Sequence, residues 1–181
     1  KQRMRTDCAL NIILIGMPGA GKSTVGVLLA KRLGYNFVDT DLLLQSQQRG
    51  RLQEIIARDG MERFKELEAD TLCSLATTHS VVATGGSAVY SARAMARLRA
   101  LGQLVFIDIP LAELLPRVHD MDTRGLVIGP GESYEQLYRE RQPLYEKYAE
   151  VTIAGAGMTV EAVAAAIEEQ VCGTADRQPQ L

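Results

Sequence analysis

The chain has few of the residues that disulfide frameworks and metal centres need. It contains three cysteines and two histidines among 181 residues. Cys8, Cys73 and Cys172 are odd in number and widely separated, which argues against a secreted disulfide scaffold and favours a reducing, cytoplasmic setting. His79 and His119 have no partner at metal-ligand spacing, so we expect neither to bind a metal.

Long apolar runs and clusters of one charge are also missing. No stretch reaches the length needed to span a membrane, and the short apolar run before Gly16 is typical of a buried strand more than of a signal peptide. The net charge is -2, and lysines and arginines are spread along the chain. We therefore expect no membrane or nucleic-acid partner. We also expect a cytoplasmic monomer.

What the sequence does contain is a regular alternation of apolar strands and amphipathic helices. The predicted strands are residues 10–15, 36–38, 80–83, 104–109 and 151–153, and the predicted helices are residues 22–33, 42–48, 52–58, 62–77 and 91–101. Such alternation predicts an α/β fold, with a parallel sheet covered by helices on both faces and connected by right-handed crossovers.

The length and the absence of a linker predict one domain over residues 1–172. Residues 42–77 form a helical insertion, and residues 173–181 are expected to be a disordered tail. The Gly- and Pro-containing stretch 119–132 lies between two helices, and a loop of this length in a small α/β domain is usually functional, which predicts a lid. The alternative is a flexible surface loop without a role.

A phosphate-binding loop is the most specific motif. Residues 16–23, GMPGAGKS, match G-x-x-x-x-G-K-[ST] and lie between a predicted strand and a predicted helix. Its glycines allow the backbone N–H groups to surround a phosphate at the helix N-terminus, while Lys22 reaches the β- and γ-phosphates and Ser23 ligates Mg²⁺. The predicted nucleotide-binding residues here are Gly16, Gly19, Ala20, Gly21, Lys22, Ser23 and Thr24. The motif alone does not separate ATPases, GTPases and metabolite kinases.

Two further groups follow predicted strands. Asp39 and Asp41 stand where open α/β sheets bind ligands; Asp39 could hold Mg²⁺ through water, and Asp41 could orient the acceptor hydroxyl or take its proton. One of them could instead only cap the next helix. Gly85 and Gly86 form a turn that lets backbone approach a ligand, although a tight turn without function would look the same.

Phosphoryl transfer also needs cations around the transferred group and around an acidic acceptor. The candidates are Lys65, Arg117, Arg124 and Arg141. An arginine on a helix more often faces solvent, and we assign Arg139 to that class.

Together these segments resemble the shikimate kinase family over nearly the whole chain, from the first strand to about Val171. The resemblance is carried by GMPGAGKST at 16–24, FVDTD at 37–41, GMERFKELE at 60–68 and RERQPLYEKYAE at 139–150. It implies a three-layer P-loop kinase fold of the nucleoside monophosphate kinase type, with a five-stranded parallel sheet, a substrate-binding helical insertion and a mobile lid.

The resemblance also implies roles for single residues. Asp41 would hold the ring hydroxyls of shikimate, Gly85 and Gly86 would contact it, and Arg141 would pair with its carboxylate. From the lid, Arg124 would reach the transferring phosphate. Arg117 would cover the adenine.

Departures from the family pattern fall mainly on the acceptor side. Lys65 replaces an arginine that grips the shikimate carboxylate, and lysine lacks the planar bidentate fork. Met61 replaces a glutamate, and Ser87 replaces the third glycine of a Gly-Gly-Gly turn. In the predicted lid, RGLV at 124–127 replaces Arg-Pro-Leu-Leu.

The sequence therefore predicts Mg²⁺-dependent transfer of the γ-phosphate of ATP to the 3-hydroxyl of shikimate, in aromatic amino-acid biosynthesis. Catalysis would rest on Lys22, Asp41 and Arg124, and acceptor binding on Asp41, Lys65, Gly85, Gly86, Ser87 and Arg141. One alternative is a related kinase acting on homoserine, gluconate or a similar hydroxy acid. Another is a regulator that binds nucleotide without catalysis.

Overall fold

The computed structural model describes residues 11–119 and 131–173. Five strands form one sheet in the order β2-β3-β1-β4-β5, and all neighbouring strands are parallel. Their ranges are Asn11–Ile15 (β1), Asn36–Asp39 (β2), Ser80–Ala83 (β3), Gly102–Asp108 (β4) and Val151–Ala154 (β5). The predicted five-stranded parallel sheet is confirmed.

Helices connect the strands. They are Lys22–Leu33 (α1), Thr40–Gln48 (α2), Leu52–Asp59 (α3), Met61–Ser74 (α4), Ala92–Leu101 (α5), Leu111–His119 (α6), Tyr134–Tyr148 (α7) and Val160–Cys172 (α8), with a 3₁₀ helix at Ala88–Tyr90. The predicted helices agree within a few residues. α4 ends before the predicted Thr77, because Leu75 leaves the helical conformation with ψ 125°.

Crossover handedness distributes the helices over two faces. The chain moves from β1 in one direction to β2, and later from β3 past β1 in the other direction to β4. Right-handed connections in opposite directions place their helices on opposite faces, so α1 and α5 lie on different sides of the sheet. α8 packs against α1, and α4 packs against α5, which gives three layers.

The strand order also determines where a ligand can bind. β1 is fully buried between β3 and β4. Because the connection from β1 and the connection from β3 run in opposite directions along the sheet, a crevice opens beyond the carboxyl end of β1. The loop that begins with Gly16 follows β1 directly, so it lies in that crevice.

The insertion between β2 and β3 has an apolar cluster of its own. Leu44, Ile55 and Phe64, one from each of α2, α3 and α4, are at most 2% exposed. Met61 packs against this cluster. The insertion is therefore a small packed unit that supplies one wall of the crevice.

Some predictions fall on residues 1–10, 120–130 and 174–181, which lie outside the described ranges. These include Arg124, nearly all of the predicted lid and nearly all of the predicted tail. The described parts of the chain contain no helix with the length and apolar character required to cross a membrane. The single-domain boundaries stay a prediction.

Candidate active site

An open cavity of about 340 Å³ lies at the carboxyl ends of β1, β2 and β3. Its walls come from the glycine loop, the start of α1, the helical insertion, the turn after β3 and α7. The lining residues are Pro18, Gly19, Gly21, Lys22, Ser23, Thr24, Asp41, Leu52, Phe64, Glu68, Thr84, Gly85, Gly86, Ser87 and Arg141. The three strand ends predicted to share one crevice do so.

The glycine loop has the conformation of an anion-binding loop. Gly16, Gly19 and Gly21 have positive φ angles of 146°, 84° and 86°. The Lys22 ammonium group donates hydrogen bonds to the carbonyl oxygens of Gly16 and Met17, at 2.8 and 2.9 Å. Lys22 is thus folded back onto the loop, in reach of any phosphate held by the loop N–H groups.

Contacts from outside hold the loop in place. The buried Tyr134 of α7 donates its hydroxyl to the carbonyl of Pro18 at 2.6 Å. Arg117 of α6 donates to the carbonyl of Gly19 at 3.4 Å and approaches Glu113 at 3.6 Å. Arg117 therefore lies beside the loop but outside the main cavity. Ala20, a residue of the loop, is buried and does not line the cavity either.

Ser23 and Asp39 form one polar pair. The Ser23 hydroxyl donates to Oδ2 of Asp39 at 2.6 Å, while Oδ1 of Asp39 accepts from the backbone N–H groups of Asp41 and Leu42. Asp39 thus caps α2 and faces the loop at once, so the two interpretations of this aspartate are compatible. A hydroxyl and a carboxylate are the hard oxygen ligands that Mg²⁺ prefers alongside water and phosphate.

Burial shifts the pKa values of the two central charged groups toward neutrality. Loss of solvation lowers the pKa of Lys22 to about 8, with a smaller opposing effect from Asp41. Burial, and then the charge of Asp39, raise the pKa of Asp41 to about 6. Asp41 therefore remains ionised at neutral pH but is a stronger base than an ordinary aspartate.

The turn after β3 requires glycine because other groups approach it closely. A Cβ atom at Gly85 would lie 2.2 Å from Oε1 of Glu68 and 2.6 Å from Oδ1 of Asp41. A Cβ at Gly86 would lie 2.9 Å from Nη1 of Arg141. The interpretation of this turn as a structural feature without ligand contact is not favoured, because its backbone lines the cavity.

Arg141 is a buried cation on the cavity wall. It is 5% exposed, and its Nε donates to the hydroxyl of Tyr90 at 3.2 Å. Within the described residues, no carboxylate lies within ion-pair distance of its guanidinium group. A buried guanidinium without a carboxylate partner is suited to binding an acidic ligand.

Lys65 is not in this cavity. Its ammonium group pairs with Glu62 at 3.2 Å, and its side chain lines an adjoining cavity of about 400 Å³. Glu68 and Ser87 line both cavities and separate them. The structure thus places Lys65 beside the predicted acceptor site, while Asp41, Gly85, Gly86, Ser87 and Arg141 line it directly.

Glu68 is a site residue that the sequence interpretation missed. It is 4% exposed, and its carboxylate accepts a hydrogen bond from the Ser87 hydroxyl. Burial, and to a lesser degree the charge of Asp41, raise its pKa to about 7. A signal existed, because Glu68 lies between Phe64 and Leu72 at four-residue spacing, on the apolar face of α4.

Ionisation of Glu68 is expected to destabilise the fold at neutral and alkaline pH. Its folded-state pKa lies above the ordinary value of 4.5, so its contribution to stability falls as pH rises from about 4.5 to 7. Glu68→Gln removes this titration and can keep the Ser87 bond. We expect the stability difference between variant and parent, from urea unfolding, to grow by about 2 to 3 kcal/mol between pH 5 and pH 8.

Glu66→Gln is the matched control for this prediction. Glu66 is an exposed glutamate on the same helix, paired with Arg63 at the surface. The change of the stability difference between the two pH values should be larger for Glu68→Gln than for this control. A difference for Glu68→Gln that does not change with pH would show that the carboxyl ionises in the folded protein as in the unfolded chain.

Comparison with known proteins assigns the fold and the family. The model of the family described as shikimate kinase matches residues 18–172. The shikimate kinase of Synechococcus sp. (strain RCC307) is 38% identical over 167 residues, which are 90% of this chain and 85% of the relative. That of Gloeobacter violaceus (strain ATCC 29082 / PCC 7421) is 40% identical over 153 residues, 82% of this chain and 85% of the relative.

A solved structure agrees with these sequences. The shikimate kinase from Acinetobacter baumannii in complex with shikimate superimposes with a TM-score of 0.84 at 29% identity, covering 94% of this chain and 96% of that one. The predicted P-loop kinase fold is confirmed by this match. With a family match over most of its length and relatives above one third identity, the chain belongs to the shikimate kinase family.

Proposed function

We propose that the protein transfers the γ-phosphate of ATP to the 3-hydroxyl of shikimate. The observation that carries the proposal is the meeting of Lys22, Asp41 and Arg141 on the wall of one cavity. Lys22 supplies a cation that binds phosphate, Asp41 supplies a base, and Arg141 supplies a cation that binds an acidic acceptor. Family membership supports the same reaction.

On the nucleotide side, the loop N–H groups and Lys22 bind the phosphates. Phosphate oxygens replace the carbonyls of Gly16 and Met17 as acceptors for the Lys22 ammonium group. Ser23 and Asp39, which form a hydrogen-bonded pair, would hold Mg²⁺, with Asp39 acting through water. The ion would neutralise charge on the transferred group.

On the acceptor side, Asp41 accepts a hydrogen bond from the hydroxyl that attacks the γ-phosphorus. It takes the hydroxyl proton as the new O–P bond forms and the bond between the γ-phosphorus and the β,γ-bridging oxygen breaks, which releases ADP. Arg141 binds the carboxylate through its terminal nitrogens. Gly85, Gly86 and Ser87 form the floor against which the ring lies. Positioning of two bound substrates and neutralisation of charge then provide most of the rate enhancement.

Three roles are proposed from the sequence and the resemblance alone. Arg124 contacts the transferring phosphate from a lid over residues 119–132, and Arg117, which lies 3.4 Å from the carbonyl of Gly19, covers the adenine. Lys65 adds positive charge near the acceptor. We also propose a cytoplasmic monomer without nucleic-acid or membrane partners, with residues 1–172 as one domain.

The pH dependence of catalysis follows from two pKa values. Asp41 must be ionised, so kcat/KM should rise with pH through about 6. Lys22 must be protonated, so kcat/KM for ATP should fall above about 8. Bound phosphates stabilise the ammonium group, and the alkaline limb of kcat should therefore lie at higher pH than that of kcat/KM.

Profiles of kcat and kcat/KM between pH 5 and 10 measure both limbs. Glu68 has a pKa of about 7 and could contribute to the acid limb, so Glu68→Gln serves as the control. An acid limb that stays near pH 6 in this variant belongs to Asp41. A flat profile between pH 5 and 7 would exclude Asp41 as the base.

A coupled assay of ADP release tests the acceptor. Purified protein with Mg·ATP is offered shikimate, homoserine, gluconate and no acceptor. Saturable turnover on shikimate, well above the rate without acceptor, is the expected result. Faster turnover on homoserine or gluconate would show that one of these is the substrate instead of shikimate. ATP binding without phosphate transfer to any acceptor would favour a nucleotide-binding regulator.

A further inference from the structure

Tyr90 is an aromatic residue beside the acceptor site, and its ring is in contact with two cationic side chains. It ends the 3₁₀ helix that follows the Gly-Gly turn, and its side chain is 38% exposed. The Arg141 Cζ atom lies 5.2 Å from its ring centroid, and the Lys65 Nζ atom lies 5.3 Å from it. Both distances are within the range of cation–π attraction.

The hydroxyl of Tyr90 fixes the orientation of Arg141. It accepts a hydrogen bond from Nε of Arg141 and donates one to Glu140, both at 3.2 Å. With Nε engaged, binding of a carboxylate falls to the terminal nitrogens of Arg141, on a side chain that lines the main cavity. Tyr90 therefore selects which edge of the guanidinium group faces a ligand.

The ring also keeps Lys65 close to the acceptor site. Lys65 lies in the adjoining cavity, and its pairing with Glu62 is a surface ion pair between partly exposed side chains. Such a pair contributes little, so it does not prevent reorientation of the lysine. Two cations that share one ring repel each other, and an anion bound near both reduces this repulsion.

We propose that Tyr90 is a positioning residue that determines the preference of this enzyme for a carboxylated acceptor. Its hydroxyl orients the guanidinium group of Arg141, and its ring holds Lys65 where an ammonium charge adds to the field at the carboxylate. The inference rests on the proposed function, because it assumes an acceptor whose carboxylate binds at Arg141. The proposal also gives Lys65, which lies outside the main cavity, a role in attracting the carboxylate of the acceptor.

The test compares an acid with its neutral analogue. Steady-state kcat and KM are measured for shikimate, for the carboxamide of shikimate and for ATP, with the parent enzyme, Tyr90→Leu and Tyr90→Phe. Cation–π attraction of about 0.5 to 2 kcal/mol predicts that Tyr90→Leu raises KM for shikimate by about 2- to 30-fold. We expect kcat and KM for ATP to change less than about 2-fold and kcat/KM for the carboxamide to stay the same.

Tyr90→Phe keeps the ring and removes only the hydroxyl. It should therefore lie between the parent and Tyr90→Leu in its preference for acid over carboxamide. If Tyr90→Leu does not fold, as judged by circular dichroism, Tyr90→Phe decides the question. A phenylalanine variant with the parent's preference would then overturn the proposal.

Tyr148→Leu is the matched control. Tyr148 is a partly buried tyrosine with Lys147 at 5.3 Å from its ring, and it lines neither cavity. A KM increase in Tyr90→Leu no larger than in this control, or an equal increase for acid and carboxamide, would contradict the proposal. Absence of parent turnover on shikimate would instead refute the proposed function, and the inference would fall with it.

Discussion

Lys22→Met is expected to lower kcat by at least about 10²- to 10³-fold, the range found when a single preorganised donor to the transition state is removed. Lys22 is 8% exposed and its ammonium group donates hydrogen bonds to two loop carbonyls, so it is held where the β- and γ-phosphates bind. Methionine keeps the length and apolar stem of the side chain but removes the charge. ATP affinity should also fall, because the same group contacts the phosphates in the ground state.

The control for this variant is Lys31→Met. Lys31 lies in the last turn of the same helix, on an exposed surface. Its loss should leave kcat and KM nearly unchanged. ATP binding measured by calorimetry separates the loss of ATP affinity in Lys22→Met from the loss of turnover. A turnover close to that of the parent would show that another cation neutralises the transferred phosphate.

Asp41→Asn is expected to lower kcat by about 10²- to 10⁴-fold, the usual contribution of a positioned general base. Asparagine has nearly the same shape and can still accept a hydrogen bond from the acceptor, but it cannot take the proton. KM for shikimate should therefore change less than kcat. Because the negative charge of Asp41 raises the pKa of Lys22, its removal in this variant should lower the pKa of Lys22 further.

Asp59→Asn is the comparison for a change of charge away from the cavity. Asp59 is paired with Arg58 at the surface, at the end of α3. It should have the kinetics of the parent. If Asp41→Asn retained more than about a tenth of the parent kcat, the carboxylate would act only by orienting the hydroxyl, and the base would have to be sought elsewhere.

Much of the scaffold could be predicted from local signals. β1 is an isoleucine-rich run that is buried along its full length, and α1 begins at the glycine loop and ends at Gly34, with φ 73°. These boundaries depend on residues close together in the sequence. The 3₁₀ helix at Ala88–Tyr90 and helix α8 were not predicted, because the first depends on the turn before it and the second packs against the distant α1.

The candidate site was predicted in part. Lys22, Asp41 and Arg141 come together as expected, since parallel strands end at one edge of the sheet. Lys65 was expected in the acceptor site but lines the adjoining cavity, where its length allows it to reach Glu62 and the ring of Tyr90. Arg124 lies outside the described residues, so its role stays a prediction.

The sequence by itself determined the phosphate-binding loop and the order of strands and helices, because each depends on motifs of a few consecutive residues or on a short period. The class of reaction was indicated by the resemblance of four separate segments to one family. Only the tertiary structure decided which groups are deprived of water. Glu68 and Ser87 are 19 residues apart in the chain and meet across α4 and the turn after β3. Helical spacing placed Glu68 on the apolar face of α4, but its contact with Ser87, like the pKa values of Lys22 and Asp41, depends on residues that are distant in the sequence.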